Sequence, residues 1–236
     1  AGIVFAAQGH NPLTGIWYFF LEPITSLWGV EQLITKATLL VIIALGLSVC
    51  YLSNNWNIGA EGQLTIGAVV GSIVPILFPD FVNPVVLPLM LVMAMVGGAL
   101  FALIPAKLKT IFGTNEILTS LMLVYCSNLF LDWMVRGPWR SPQGYNFPIT
   151  IDFHEWAVLN AVDVGGIYLN LSAPIALLLV IVLAVVMRST LKGFEIRVLG
   201  QSPRAGSFAG FSNRRMTAFA FALSGALAGL AGMMVV

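Results

Sequence analysis

The residue types best suited to recognise a small polar molecule fall in one stretch, residues 53–63, with the sequence SNNWNIGAEGQ. Amide side chains offer both a donor and an acceptor to a hydroxyl group or base edge, and a Trp ring can stack on a sugar or nucleobase. The stretch lies between two apolar runs, at or near membrane depth, where irregular polar backbone persists only inside protein or beside an aqueous cavity. We therefore expect a translocation pathway here, with the candidates Asn54, Asn55, Trp56, Asn57, Glu61 and Gln63.

Composition indicates a membrane protein. Charged residues make up 9% of the chain and the mean hydropathy is +0.93, against roughly 25% charged residues in ordinary soluble domains. A crossing helix needs about 20 mainly apolar residues, and these runs are too continuous for the alternating strands of a barrel. We predict an all-α, polytopic transmembrane helical bundle of about six membrane helices, in the runs 37–60, 62–79, 81–106, 117–131, 164–187 and 216–236.

Basic residues mark the loops that stay in the cytoplasm. Eight of the eleven Lys and Arg residues follow the third run or separate the fifth from the sixth. This predicts a cytoplasmic loop at residues 188–215, an external loop at 135–163 and an external or interfacial segment at 1–32. The external loop either has a function of its own, as long ordered loops often do, or is an interfacial cover anchored by Trp139 and Trp156.

The chain is interpreted as one transmembrane domain, residues 1–236, truncated at both ends. No initiator Met or signal peptide is visible, and the last run stops in apolar sequence. Cys50 and Cys126 fall in membrane runs, where they are expected to pack, and His10 and His154 are isolated. We therefore expect no metal site and no cofactor, and a net charge of +1 gives no reason to expect a nucleic-acid partner.

Two further features concern packing. Gly67 with Gly71, and Gly225 with Gly229, form small-residue faces that let membrane helices approach closely. The run of polar residues at 126–128 (CSN) is expected to face the bundle interior.

Asn115 and Glu116 form a second polar pair, for which two roles are considered. They either line the pathway, or Thr114 or Asn115 caps a helix whose dipole Glu116 complements. Glu61 carries the same ambiguity, because a carboxylate near a helix start can be held by backbone N–H groups.

The cytoplasmic loop contains the signals of one short helix. Ser202 suits the N-cap, Pro203 the first helical position and Gly210 the C-terminal stop. A helix of about two turns is marginal in water and must be held by packing. Either it docks on a partner or the segment is a plain cytoplasmic loop. The candidate docking residues are Gly200, Ser202, Pro203, Arg204, Ala205, Gly206, Ala209 and Gly210.

These motifs carry a resemblance to a known family. Gly193 and Phe194 followed by residues 197–205 (RVLGQSPRA) and by Ala209 and Gly210 resemble the coupling-helix loop of ABC importer permeases of the ribose and branched-chain amino-acid class. Residues 57–63 (NIGAEGQ), and residues 114–117 (TNEI) followed by Leu123, resemble the simple-sugar and nucleoside (guanosine-type) branch.

The resemblance implies a bundle of roughly eight to ten crossings and a mechanism. Two permease subunits, identical or related, form the pathway in the plasma membrane. A separate ATPase receives the short helix, and an extracytoplasmic substrate-binding protein delivers nucleosides or related simple sugars. The chain has no Gly-x-x-x-x-Gly-Lys-Ser/Thr phosphate loop, so hydrolysis is expected on another polypeptide.

Other functions are weighed against this one. The same class includes permeases for branched-chain amino acids. An ion-coupled secondary transporter would use Glu61, and Asp132 with it, as the coupling carboxylate. A membrane-embedded enzyme is disfavoured because the sequence shows no paired catalytic carboxylates and no activated nucleophile inside the membrane.

Overall fold

The computed structural model describes residues 5–6, 9, 11–145, 147–159, 161–164 and 167–235. In chain order the elements are α1 Pro12–Phe20, α2 Glu22–Thr25, α3 Leu27–Leu52, α4 Ala60–Gly71, α5 Ile73–Leu77, α6 Val86–Phe112, α7 Glu116–Arg136, β1 Ala161–Val164, β2 Ile167–Asn170, α8 Ser172–Ser189, α9 Leu191–Gln201, α10 Pro203–Phe208 and α11 Asn213–Met233.

The predicted helical membrane bundle is confirmed. Within the described ranges, six helical spans are long and apolar enough to cross a bilayer: α3, α4 continued by α5, α6, α7, α8 and α11. The sequence predicts their number because four of the six apolar runs reach the length of one crossing; the run 62–79 is slightly short, and the run 117–131 reaches that length only when extended through residues 132–134. It predicts their ends less well. The first apolar run starts at residue 37, whereas α3 begins at Leu27 and includes Glu31 and Lys36.

Helix α11 occupies the centre of the bundle, in contact with α3, α4 and α6. Glycines bring the backbones together, as the small-residue faces predict. A Cβ atom placed on Gly67 of α4 would collide with Gly229 of α11, and one on Gly98 of α6 would collide with the Gly225 carbonyl oxygen. In a bilayer such close packing supplies the association that hydrophobic burial supplies in water.

The fourth and fifth helices form one span with a break at Ser72. Pro75 has no N–H group, and its ring opposes the carbonyl four residues earlier, so the regular helix stops at Gly71 and restarts at Ile73. The span then ends at Leu77, before the turn that leads to α6.

The region before α8 differs from the expected continuous helix. Residues 161–164 and 167–170 form a two-stranded antiparallel hairpin, with Ala161 opposite Asn170 and Val164 opposite Ile167. Glu31 of α3 accepts a hydrogen bond from the Tyr168 backbone N–H at 2.7 Å, which fastens the hairpin to the bundle. Apolar β-branched residues suit a strand as well as a helix. The apolar run therefore predicted a helix from residue 164, whereas α8 begins at Ser172.

The N-terminal helices α1 and α2 precede α3 and expose an aromatic surface. Trp17, Tyr18, Phe19 and Phe20 are all exposed, in keeping with the expected interfacial segment, which stays a prediction. His10 lies outside the described residues.

Candidate functional site

The linker between α3 and α4, residues 53–59, folds back among the helices instead of leaving them. Asn54 takes the left-handed conformation (φ 55°), which Asn tolerates better than most residues, and the Asn55 N–H donates to the Cys50 carbonyl oxygen at 2.9 Å. Burial then alternates along the extended segment. Ser53, Asn55, Asn57 and Gly59 are buried, whereas Asn54, Trp56 and Ile58 are exposed.

The buried side of the linker is held by a reciprocal amide pair. Asn57 Nδ2 donates to Gln63 Oε1 and Gln63 Nε2 donates to Asn57 Oδ1, both at 3.0 Å. Asn57 Nδ2 also donates to Ser224 Oγ of α11, and Asn57 Oδ1 accepts from the Gly59 N–H. Both amides are 1% exposed. These two pathway candidates therefore fix the linker to the bundle core in this state.

Lys109, at the end of α6, ties the linker to α7. Its Nζ lies 2.6 Å from Glu116 Oε1 and donates to Asn55 Oδ1 at 2.9 Å. The Trp56 N–H also donates to Glu116 Oε1, at 3.4 Å. The sequence analysis used Lys109 only to predict which side of the membrane its loop lies on, and it missed this role. Its position, seven residues before Glu116 across a short turn, was the available signal.

Asn115 caps α7, as one of its two readings predicts. Its Oδ1 accepts a hydrogen bond from the Ile117 N–H at 2.9 Å. Glu116 occupies the first turn, where a carboxylate complements the helix dipole, and it holds Lys109 as well.

The exposed side of the linker carries an aromatic pair. Trp56 is 49% exposed, and its ring centroid lies 5.2 Å from that of Tyr51 at the end of α3. Of the candidates in the linker, Asn54 and Trp56 are therefore the two that are exposed.

Glu61 lies on the opposite face of α4 from Gln63, because two residues along a helix turn the side chain by about 200°. The carboxylate is exposed and accepts a hydrogen bond from Asn128 Nδ2 of α7 at 3.3 Å. Thr65, one turn further, donates to Asn128 Oδ1 at 3.4 Å and to the Glu61 carbonyl oxygen at 3.0 Å. We call this face of Glu61, Thr65 and Asn128 the α4/α7 seam.

The position of Asn128 along α7 indicates how deep the seam lies in the membrane-spanning region. Asn128 is the thirteenth residue of a 21-residue spanning helix, about 18 Å from its start at 1.5 Å per residue. Its hydrogen bond brings the Glu61 carboxylate beside the middle of α7, although Glu61 itself lies in the first turn of α4. The expected inward orientation of residues 126–128 is wrong for two of the three: Ser127 is buried against Gly62, but Cys126 and Asn128 are exposed. Consecutive helical residues point in different directions.

Helix α10 has the predicted capping. Ser202 Oγ accepts from the Ala205 N–H, Pro203 is the first residue of α10, and Gly210 follows the helix in the left-handed conformation (φ 84°). Gly206 is buried against Leu199 of α9. Arg204, Ala205 and Ala209 are exposed.

Phe208, at the last position of α10, was missed by the sequence reading. It is 94% exposed, although an aromatic side chain is normally buried against something. Gly200 in the preceding helix packs so closely on α3 that a Cβ there would collide with the Leu52 carbonyl oxygen. Helix α10 thus begins three residues after a close contact with the last residue of α3.

The described residues include no group of three or more His, Cys, Asp or Glu side chains able to hold a metal ion.

The chain belongs to the family of the branched-chain amino acid transport system permease component, whose model matches residues 29–236. It is 35% identical to a glucose ABC transporter permease protein of Haloferax volcanii, over 98% of this chain and 63% of that one. It is 28% identical to a nucleoside ABC transporter permease protein of Lactococcus lactis, over 98% and 65%, and 27% identical to a guanosine ABC transporter permease protein of Bacillus subtilis, over 98% and 66%.

The chain thus spans just under two thirds of the length of these relatives. No solved structure matches it significantly. The family and the six spans together define a multi-pass membrane protein of the ABC permease class.

Proposed function

We propose that the chain is the permease part of an ABC importer that moves nucleosides, or related simple sugars, across the plasma membrane. The observation that carries the proposal is the exposed carboxylate of Glu61, which lies in the first turn of α4 and is hydrogen-bonded to Asn128 near the middle of α7. A charged group at that depth is costly against lipid, and it therefore faces water or other protein. The α4/α7 seam is then part of the wall of a water-filled pathway.

The chemistry of the seam fits a molecule rich in hydroxyl groups. A carboxylate accepts hydrogen bonds only, whereas the Asn128 amide and the Thr65 hydroxyl both donate and accept. Relatives named for glucose, nucleoside, guanosine, riboflavin and ribose transport differ widely, yet every one of these molecules carries a polyhydroxylated carbon chain or ring.

A branched-chain amino acid fits the seam less well. Its carboxylate would need a cation or several N–H donors, but Glu61, Thr65 and Asn128 include no cation. The described ion pair of Lys109 commits that ammonium group to Glu116 instead. We therefore favour a neutral, polyhydroxylated substrate.

Energy would come from a separate ATPase that docks on α10. The supporting observations are the exposure of Phe208, Arg204 and Ala205 at the tip of the cytoplasmic loop, and the contact of Gly200 with the end of α3. A second permease subunit would complete the pathway, and an extracytoplasmic substrate-binding protein would deliver the substrate to the external loops.

Uptake by cells expressing the full-length protein and its ATPase tests the proposal. Glu61→Gln and Trp56→Ala are each expected to lower the uptake of labelled guanosine or glucose about ten-fold at unchanged membrane abundance. This is the scale of one lost hydrogen bond to a charged group for Glu61 and of one lost aromatic stacking contact for Trp56. Glu155→Gln, an exposed acid in the external loop, is the matched control.

Unchanged uptake in both variants would remove the linker and the seam from the pathway. Uptake that follows an imposed proton or sodium gradient, and persists without the ATPase, would favour the ion-coupled transporter instead.

A further inference from the structure

A cavity of about 200 Å³ lies between α4, α5, α7 and the external loop. Its walls are mostly apolar, with Val69 and Ile76 on one side, Leu131 on another and Phe153 from the loop. Trp139, which is 9% exposed, belongs to the same lining. The break at Ser72 opens onto this space, and interrupted spanning helices commonly line binding sites.

The cavity continues the α4/α7 seam toward the end of the span that carries the external loop. Glu61, Thr65, Ala68 and Ser72 follow one another at intervals of four, three and four residues, so they share one helix face. On α7, Leu131 follows Asn128 by three residues, about 4.5 Å along the axis. The polar end of the seam and the cavity are therefore neighbours on both helices.

Three polar groups of the cavity lining are not engaged. No hydrogen bond within the described part of the chain involves the Ser72 hydroxyl, the Thr150 hydroxyl or the Trp139 indole N–H. Hydroxyl groups offer a donor and an acceptor, and the indole offers a donor. A few such groups in apolar walls are typical of a small-molecule site.

The size and the lining select one kind of ligand. The volume is below the roughly 300 Å³ at which sites for drug-sized molecules begin, so the cavity takes one ring system. A free sugar would turn hydroxyl groups toward Val69, Ile76 and Leu131 and leave them unpaired. A flat heteroaromatic ring has apolar faces for these walls and polar edge atoms for Ser72, Thr150 and Trp139.

We propose that this cavity is a subsite for a flat heteroaromatic ring, next to the hydroxyl-binding seam at Glu61, Thr65 and Asn128. The inference rests on the proposed function and sharpens it: the substrate is a polyhydroxylated group bonded to such a ring, a nucleoside rather than a free sugar. Ser72, Thr150 and Trp139 then determine specificity, while Glu61 and Asn128 hold the hydroxyl groups.

Equilibrium binding of tritiated guanosine and tritiated ribose to the full-length permease in lipid nanodiscs tests the inference. Guanosine is expected to bind about ten-fold tighter than ribose. Trp139→Phe and Ser72→Ala should each weaken guanosine binding about five-fold, the typical effect of one lost neutral hydrogen bond, and leave ribose binding unchanged. Retained ribose binding also shows that the variants are folded.

Trp156→Phe is the matched control, because Trp156 belongs to the same external loop but lines a different cavity, beside Phe78 and Phe81. Equal affinities for guanosine and ribose, or an equal loss of both in Trp139→Phe, would overturn the subsite and leave the proposed function standing. Ribose binding that Glu61→Gln does not alter, or no binding of either molecule, would instead overturn the proposed function and the subsite with it.

Discussion

The Lys109 ammonium group lies 2.6 Å from the Glu116 carboxylate and bridges it to the Asn55 amide, 2.9 Å away. One cation thereby joins the end of α6, the start of α7 and the linker that follows α3. The two charged side chains are 27% and 13% exposed, so the pair is partly shielded from water and each partner depends on the other.

Replacing Lys109 should therefore destabilise this end of the bundle. Lys109→Met leaves the Glu116 carboxylate and the Asn55 oxygen without their shared donor, and we expect a loss of about 1–2 kcal/mol, less than for a fully buried pair because both groups keep some contact with water. Thermal unfolding in detergent measures the effect. Lys107→Met, at an exposed position two residues earlier, is the control, and equal unfolding temperatures in the two variants would contradict the bridge.

Asn57 should be more sensitive to substitution than its neighbour in the linker. Asn57→Ala removes the partner of the Gln63 amide, the Ser224 hydroxyl and the Gly59 N–H, all in a buried region, at an expected cost of about 1–3 kcal/mol. Asn54→Gly serves as the control, since it removes an exposed amide and keeps the positive φ. Both are measured by thermal unfolding, and a larger loss in Asn54→Gly would refute the assignment of Asn57 to the core.

Phe208 should carry much of the contact with the ATPase. Phe208→Ala and Ala205→Glu are expected to reduce co-purification of the ATPase about ten-fold or more, the effect of losing an aromatic anchor at an interface, with normal insertion of the permease. Ser207→Ala is the control. Gly206→Glu is expected to lower permease stability as well, because Gly206 is buried against Leu199. Undiminished co-purification with Phe208→Ala and Ala205→Glu would exclude α10 as the docking helix.

Gly200 should be needed for coupling and not for docking. Gly200→Ala places a methyl group against the Leu52 carbonyl oxygen and forces α9 away from α3. We expect ATPase binding to persist while uptake falls several-fold, as measured by co-purification and uptake on the same preparation of cells. Gly113→Asn, at a left-handed position with open space around it, is the control. Normal uptake in Gly200→Ala would show that the contact between Gly200 and Leu52 is not needed to couple the ATPase to transport.

Local sequence signals anticipated much of the structure. The length of the apolar runs predicted six crossings, and the capping preferences of Ser202, Pro203 and Gly210 predicted the ends of α10. These features depend only on nearby residues. The glycines at positions 67 and 229 predicted close helix packing, but only the three-dimensional structure shows that these two glycines contact each other.

The pathway candidates were grouped too broadly, because one polar stretch was treated as one surface. Helical geometry already separates Glu61 from Gln63, and the alternation along the linker separates Trp56 from Asn57. The contacts of Asn57 with Ser224 and of Asn55 with Lys109 join residues far apart in the chain. No local pattern specifies such pairs.

The glycine contacts that join α4, α6 and α11 also limit how this protein can move. Where backbones touch without intervening side chains, one helix cannot slide past another unless the two separate. These three helices should therefore travel as a single rigid block. Any alternation between outward and inward openings must then come from rocking of that block against the helices around it.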